Sequence, residues 1–436
     1  MCSAQQFQHP YTALLKREIQ PAIGCTEPVA AAVCAAYAAQ CLGKPTVRLR
    51  VEASAYILKN AMHVGIPGTN GLTGIAMAAA LGSLLQHSEK SMEIFGALTP
   101  EIVTAARALL DGGGVEVALA ENSPKVWVDS TVFAEDGSWA RAVIQGTHTH
   151  VIRLERDGRI CRSEPPIQEG ADGEGGAMKL KAIYDYAMGV PLEELAFLEE
   201  VIRVNCAVAE EGLSRPYGLR VGSTLAAEGS WEYAAAYTAA AADARMAGCM
   251  LPVMTNMGSG NQGLTASLPV IAAARRMGCG REALLRALAA SELTAMNVKL
   301  YIGRLSALCG CGIAAGIGAA CSLVLLRGGG YEAMVYAVRT MVADVAGIVC
   351  DGAKPGCALK VATAVSAAQR AASLAMANGL AEGQYGVVSQ TGEDTLRNLG
   401  LLGSEGMGAA NETILKILLQ EQNGTGASPR ERGAIA

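Results

Sequence analysis

The chain has 436 residues, a formal net charge of −5, and a composition that is 51% hydrophobic but only 4% aromatic, with 51 glycines. The acidic balance, without any Lys/Arg-rich run, excludes the electrostatic footprint of a nucleic-acid binder. Thirteen cysteines and no apolar leader in Met1–Gln20 argue against a secreted disulfide scaffold, so a reducing cytoplasm is the expected location.

With few aromatics, Ala, Leu, Val, Ile and Met must fill the core, and such small side chains let helices approach closely. In chain order, Tyr11–Gln20 predicts a short helix that stops at Pro21. Thr26 is a candidate N-cap and Pro28 an early helical position, which predicts a helix over Val29–Cys41. From Thr46 to Cys161 the alternation in Val47–Val51, Val126–Val128 and His148–Leu154 predicts strands, interleaved with helical runs at Gly71–Leu85 and Thr99–Leu110. Glu169–Gly176 is Gly-rich and reads as a mobile loop or hinge. Met178 to Gln420 carries helical periodicity broken by Gly-containing turns, and the polar tail Glu421–Ala436 is expected to fray.

The expected class is therefore α+β. Residues 1–45 form N-terminal helices with the Cys25 loop, packing on the large body. Residues 46–176 form a smaller α/β subdomain with a small mixed sheet, residues 177–420 a large Ala/Gly-rich helical domain, and residues 421–436 a tail. Ala307–Leu326 is twenty residues without a charge, long enough to cross a bilayer. Its three cysteines and four glycines, and Arg304 and Arg327 on its two flanks, favour a buried core helix instead.

Cysteines carry the chemistry. Cys309-Gly310-Cys311 is followed by Cys350 and Cys357, which bracket the turn Asp351–Gly356. Thiolates are soft ligands that select zinc, Cu(I) or iron–sulfur clusters. The paired C-x2-4-C knuckles usual for zinc are absent, and three thiolates without a fourth suit a [4Fe–4S] cluster with one iron left open. The competing reading is buried thiols at helix ends. Cys321 and the single cysteines Cys2, Cys34, Cys41, Cys161, Cys206, Cys249 and Cys279 read as packing residues. Cys25 stands just before a helix start, where free N–H groups and the dipole favour a thiolate, so it reads either as a base or nucleophile or as a small buried side chain.

The histidines lack H-x3-H or H-E-x2-H spacing, which removes a His-based zinc enzyme. His148 and His150 share one strand face and read as solvated; His63, beside the first of two Gly loops, is a pocket candidate. Those loops, Pro67–Gly74 and Gly258–Thr265, each lead into an apolar helix and offer N–H groups to a phosphate or carboxylate. A pyridoxal-phosphate reading of the second loop needs a Schiff-base lysine, and the only tempting one, Lys59, lies far upstream in the other subdomain.

Taken together and in this order, Gly24–Pro28, Asn256–Gly263, Leu308–Cys311 and Cys350–Cys357 resemble the L-cysteine desulfidase family, which is related to the iron–sulfur L-serine dehydratases. The resemblance runs over nearly the whole chain. It implies an oxygen-labile [4Fe–4S] cluster held by three cysteines, and β-elimination from a small amino acid to pyruvate, ammonia and sulfide. Cys350 and Cys357 match the last two ligands; the first is Cys309 or Cys311, with Cys311 preferred because related dehydratases place a Gly-Cys pair before the Gly-rich helix. Cys25 matches the family's proposed base, and Thr26, Glu27, Asn256, Ser259, Asn261 and Gln262 become substrate-binding candidates. No cysteine follows Cys357, so the terminal-cysteine cap of some serine dehydratases is unavailable to this chain.

The implied chemistry is an open iron acting as Lewis acid on the leaving sulfur or oxygen. Cys25, brought toward neutrality by the helix start, would take the Cα proton. The alternatives are an L-serine or L-threonine dehydratase of the same mechanism, a single-zinc isomerase or hydrolase, and a regulatory iron–sulfur or zinc-binding protein. The expected partners are a small amino acid and further copies of the chain, with no nucleic acid and no membrane.

Overall fold

The computed structural model describes residues 8–166, 177–229, 232–377 and 386–424, with side chains to residue 420. Cys2, the Glu169–Gly176 segment and nearly all of the 421–436 tail lie outside the described residues. Alanine decides much of the packing. The helix Thr26–Leu42, here the Cys25 helix, buries every residue from Thr26 to Ala36. The helix Ile75–Leu85 presses against it so closely that a Cβ on Gly82 would stand 2.0 Å from the Ala32 carbonyl oxygen.

This helix pair covers a six-stranded mixed sheet. Its order is Val115–Leu119, Arg48–Ala53, Trp127–Phe133, Trp139–Gln145, Val151–Arg156 and Arg159–Ser163. The first two strands run parallel and every other neighbour is antiparallel. Along Arg48–Ala53, Leu49, Val51 and Ala53 point into the core while Arg48 and Arg50 are exposed, the alternation of a sheet packed on one face.

A second, separate apolar core belongs to a helical body. Its central members are Tyr233–Met246, Gly260–Met277, Arg281–Ile302, Ala314–Leu326, Tyr331–Val345 and Cys357–Met376. Close backbone approach recurs there: a Cβ on Gly318 would meet the Ser291 carbonyl oxygen at 2.3 Å. The architecture is α+β. Residues 8–45 do not pack as one unit: the helix Pro10–Glu18 sends Leu15 into the helical core, whereas the Cys25 helix joins the sheet core. The last helix, Gly408–Gly424, returns to the sheet core through Leu415 and Leu418.

Several boundaries differ from expectation. The Cys25 helix begins at Thr26, so Cys25 itself is the N-cap, without a side-chain capping bond. The strand expected from His148 begins at Val151, leaving both histidines in the preceding turn. Of the uncharged stretch Ala307–Leu326 only Ala314–Leu326 is α-helical, and no helix among the described residues is long and apolar enough to cross a membrane.

Three short contacts fasten the segment Glu18–Ala22, which leads to the Cys25 helix, to the helical body. Pro21–Ala22 pairs antiparallel with Val253–Met254. The Thr255 N–H donates to the Gln20 carbonyl at 2.9 Å, and the Met257 N–H to the Glu18 carbonyl at 3.1 Å. Together they lay the Cys25 loop beside the Asn261 loop.

Candidate active site

A cavity of about 100 Å³ lies between the bodies. One wall comes from the sheet body: Cys25, Thr26 and Glu27 at the start of their helix, Asn60 from the helix Ala55–Ala61, and His148. The facing wall holds Ser259, Asn261, Gln262, Arg245, Lys299 and the thiols of Cys309, Cys311, Cys350 and Cys357. Segments more than three hundred residues apart in sequence thus meet around one small volume.

The thiol segments are tied by backbone. The Cys309 N–H donates to the Ile348 carbonyl at 2.9 Å, and the Cys350 N–H to the Ala307 carbonyl at 2.7 Å. Cys309 and Cys311 Sγ stand 3.4 Å apart. Their hydrogen bond, helped by Lys360 and Lys299, pulls Cys309 below the ordinary thiol range, while the same bond, burial and the neighbouring thiols push Cys311 above it. Burial pushes Cys357 up to about 12.

The donor set is made of thiols alone, the ligand chemistry that iron–sulfur clusters take. No three His, Cys, Asp or Glu side chains among the described residues converge on one metal ion, as a closed zinc site with its short bonds requires. In a [4Fe–4S] cluster each cysteine binds a different iron, so its ligands stand apart rather than converging on one point. The local charge agrees. Burial pushes Lys299 down to about 8, with Cys350 and Cys309 favouring its charged form. Lys360 reaches the Val349 carbonyl at 2.9 Å and also bonds Asp351.

Cys25 corrects one expectation. It is 2% exposed, and burial pushes its thiol up to about 11 despite the opposing pull of Arg245. A helix dipole supplies at most about 2 kcal/mol at a buried terminus, roughly one and a half pKa units, and desolvation outweighs it.

Glu27 is held on both oxygens: Oε1 accepts from Asn60 Nδ2 at 3.0 Å and Oε2 from Thr26 Oγ1 at 3.0 Å. His148 lies 3.9 Å from Glu27 Oε1 through Nε2, which has no hydrogen-bond partner. Far from the solvated face expected, this ring is 5% exposed, and burial lowers its pKa. His63 is exposed and not part of the lining.

Asn256 also moves from its expected place. It lies behind the cavity wall, donating through Nδ2 to Glu292 Oε2 at 2.6 Å and accepting from Gln262 Nε2 at 2.6 Å. Gln262 Oε1 is left without a partner. Ser259 caps the helix Gly260–Met277, here the Asn261 helix, by accepting from the Gln262 N–H at 3.4 Å. Met257, just upstream, is held at φ 48°, a left-handed conformation uncommon for a non-glycine residue and one that gathers at functional sites. The first Gly loop is off the cavity; its Pro67 ring shapes the Gly24 turn, where a Cβ would come within 2.7 Å.

Sequence reading missed Arg245, Lys299, His148, Asn60 and Glu292. For Arg245 a signal exists: with Asp243 it falls at the end of the Ala-rich run Ala239–Ala244, a poor place for a solvated face.

Residues 89–416 match the family described as serine dehydratase alpha chain. Among similar proteins, the UPF0597 protein of Oleidesulfovibrio alaskensis is 44% identical over 422 residues, covering 94% of this chain and 98% of its own. That of Phocaeicola vulgatus is 40% identical, covering 94% and 97%, and that of Clostridium perfringens 37% identical, covering 94% and 98%. The family match includes the thiols, Arg245 and the Asn261 loop, and begins beyond Cys25, Glu27 and Asn60.

Proposed function

We propose, from the premise that the chain belongs to the serine dehydratase alpha chain family, that it is an iron–sulfur lyase. Its reaction is β-elimination from a small L-amino acid. L-Cysteine is the favoured substrate, giving pyruvate, ammonia and sulfide; L-serine and L-threonine are the alternatives. The observation that carries this reading is the convergence of Cys25, Glu27, the Asn261 loop and the thiols of Cys309, Cys311, Cys350 and Cys357 on one cavity.

Cys311, Cys350 and Cys357 are the residues that would hold the cluster, with Cys309 as the competitor for the first position. Bound there, the cluster supplies a Lewis acid that makes sulfide or hydroxide a better leaving group. The protein's own part is to bind, orient and move a proton. The first turn of the Asn261 helix offers N–H groups to an anion. Glu27, already fixed by Asn60 and Thr26, presents negative charge to an ammonium group. Cys25 borders both and is placed to take the Cα proton in its thiolate form. Burial of all three keeps bulk water away from the site.

Anaerobic reconstitution with iron and sulfide tests the proposal. A brown, iron-containing protein that releases sulfide and pyruvate from L-cysteine supports it. Colour without turnover of any amino acid favours a sensor, and a protein that retains zinc and takes up no iron removes both readings.

A further inference from the structure

Arg245 is 5% exposed and lies on the cavity wall. Its hydrogen-bond partners carry no carboxylate: Nη1 donates to Asn261 Oδ1 at 3.1 Å and Nη2 to the Gly24 carbonyl at 2.9 Å, and the guanidinium also bonds the Cys25 thiol, which burial keeps protonated. Nε, also buried, has no partner. The acid nearest in sequence, Asp243, accepts from the Gly222 N–H at 3.0 Å, and both Glu27 oxygens are engaged by Asn60 and Thr26. A buried guanidinium without a carboxylate is costly to maintain, and an incomplete ion pair at a cavity wall calls for an anion from outside.

The surroundings are shaped for that anion. Gly260, the first residue of the Asn261 helix, lies flush against the guanidinium; a Cβ there would come 2.3 Å from Arg245 Nε. The guanidinium therefore shares its position with a helix N-terminus, a second donor set for negative charge. Arginine presents its donors as a rigid fork that matches a carboxylate.

We propose that Arg245 is the receptor for the substrate α-carboxylate. Arg245 and Glu27 both bear on Cys25. An amino acid with its carboxylate at Arg245 and its ammonium at Glu27 has its Cα between them, beside Cys25, and its β-substituent free to face the thiols. The orientation of that last group rests on the lyase reading; the carboxylate contact does not. The site thereby selects free α-amino acids and rejects amides, esters and decarboxylated amines.

The test is calorimetric binding of L-serine and L-serinamide to the cluster-free full chain, for wild type, Arg245→Met and Arg245→Lys. Wild type is expected to bind L-serine well above the amide. Arg245→Met should lose on the order of 100-fold in L-serine affinity and change little for the amide, with Arg245→Lys between the two. Arg245→Met also strands the Asn261 Oδ1 and Gly24 carbonyl acceptors, so its unliganded Tm is expected to fall, and binding is compared at a temperature where all three proteins are folded. Equal losses for acid and amide, no loss for the acid, or failure of wild type to bind L-serine would each overturn the proposal. The lyase reading fails separately: L-serine bound through Arg245 without turnover of any amino acid by the reconstituted protein removes that reading and leaves the receptor intact.

Discussion

In the proposed reaction Cys25, on the cavity wall, takes the Cα proton. Cys25→Ala should retain the brown absorbance of the reconstituted protein and lower kcat by about 10²–10⁴-fold, the range for a removed general base. Loss of the absorbance as well would make Cys25 a ligand. Cys309 and Cys311 stand 3.4 Å apart on the same wall, so their roles separate by substitution. Cys311→Ala should abolish iron binding while Cys309→Ala leaves most of it, measured as iron per chain; the reverse pattern would exchange the assignment. The cysteines were legible because a thiol flanked by glycine or proline turns is chemically conspicuous in sequence. Arg245 and Lys299 were not, because a basic residue within a helix ordinarily marks a solvated face, and only tertiary burial turns it into a site.

Between elements, the decisive link is the chain from Glu292 on the helix Arg281–Ile302, through Asn256, to Gln262 on the Asn261 helix. Burial pushes the Glu292 carboxyl up to about 8. The folded state therefore holds this proton more tightly than the unfolded chain. The resulting stability is complete below the ordinary glutamate range and is lost as pH rises toward about 8. Glu292→Gln keeps a neutral partner for Asn256 and removes that loss. Its Tm should exceed wild type at pH 9, by the equivalent of a few kcal/mol, with the advantage vanishing near pH 5. A constant Tm difference across this range would show that Glu292 does not titrate there. The sequence exposed neither this link nor the place of His148. Alternating residues read the same in a strand and in the turn that precedes it, so the pattern extended the strand backward over a ring that the fold turns inward toward Glu27.

Over the whole molecule, the change of texture near residue 46 and again near residue 178 announced a sheet region and a helical body, because periods of two and of 3.6 residues are distinct signals. Which body owned the Cys25 helix was hidden. A helix buried on nearly all sides, mostly by alanine, has no polar face to show which way it turns, and only the observed packing places it against the sheet. The two apolar cores stay separate, and the cavity between them takes its walls from both. Whatever fills that cavity is consequently a structural member as much as a reactant. A molecule held by Glu27 on one side and Arg245 on the other binds only the assembled pair. At a hundredfold excess over its Kd it adds about 2.7 kcal/mol to the stability of the native state. On the proposed binding mode the substrate would act as a tie-bar between the two bodies, so that binding and stability rise together.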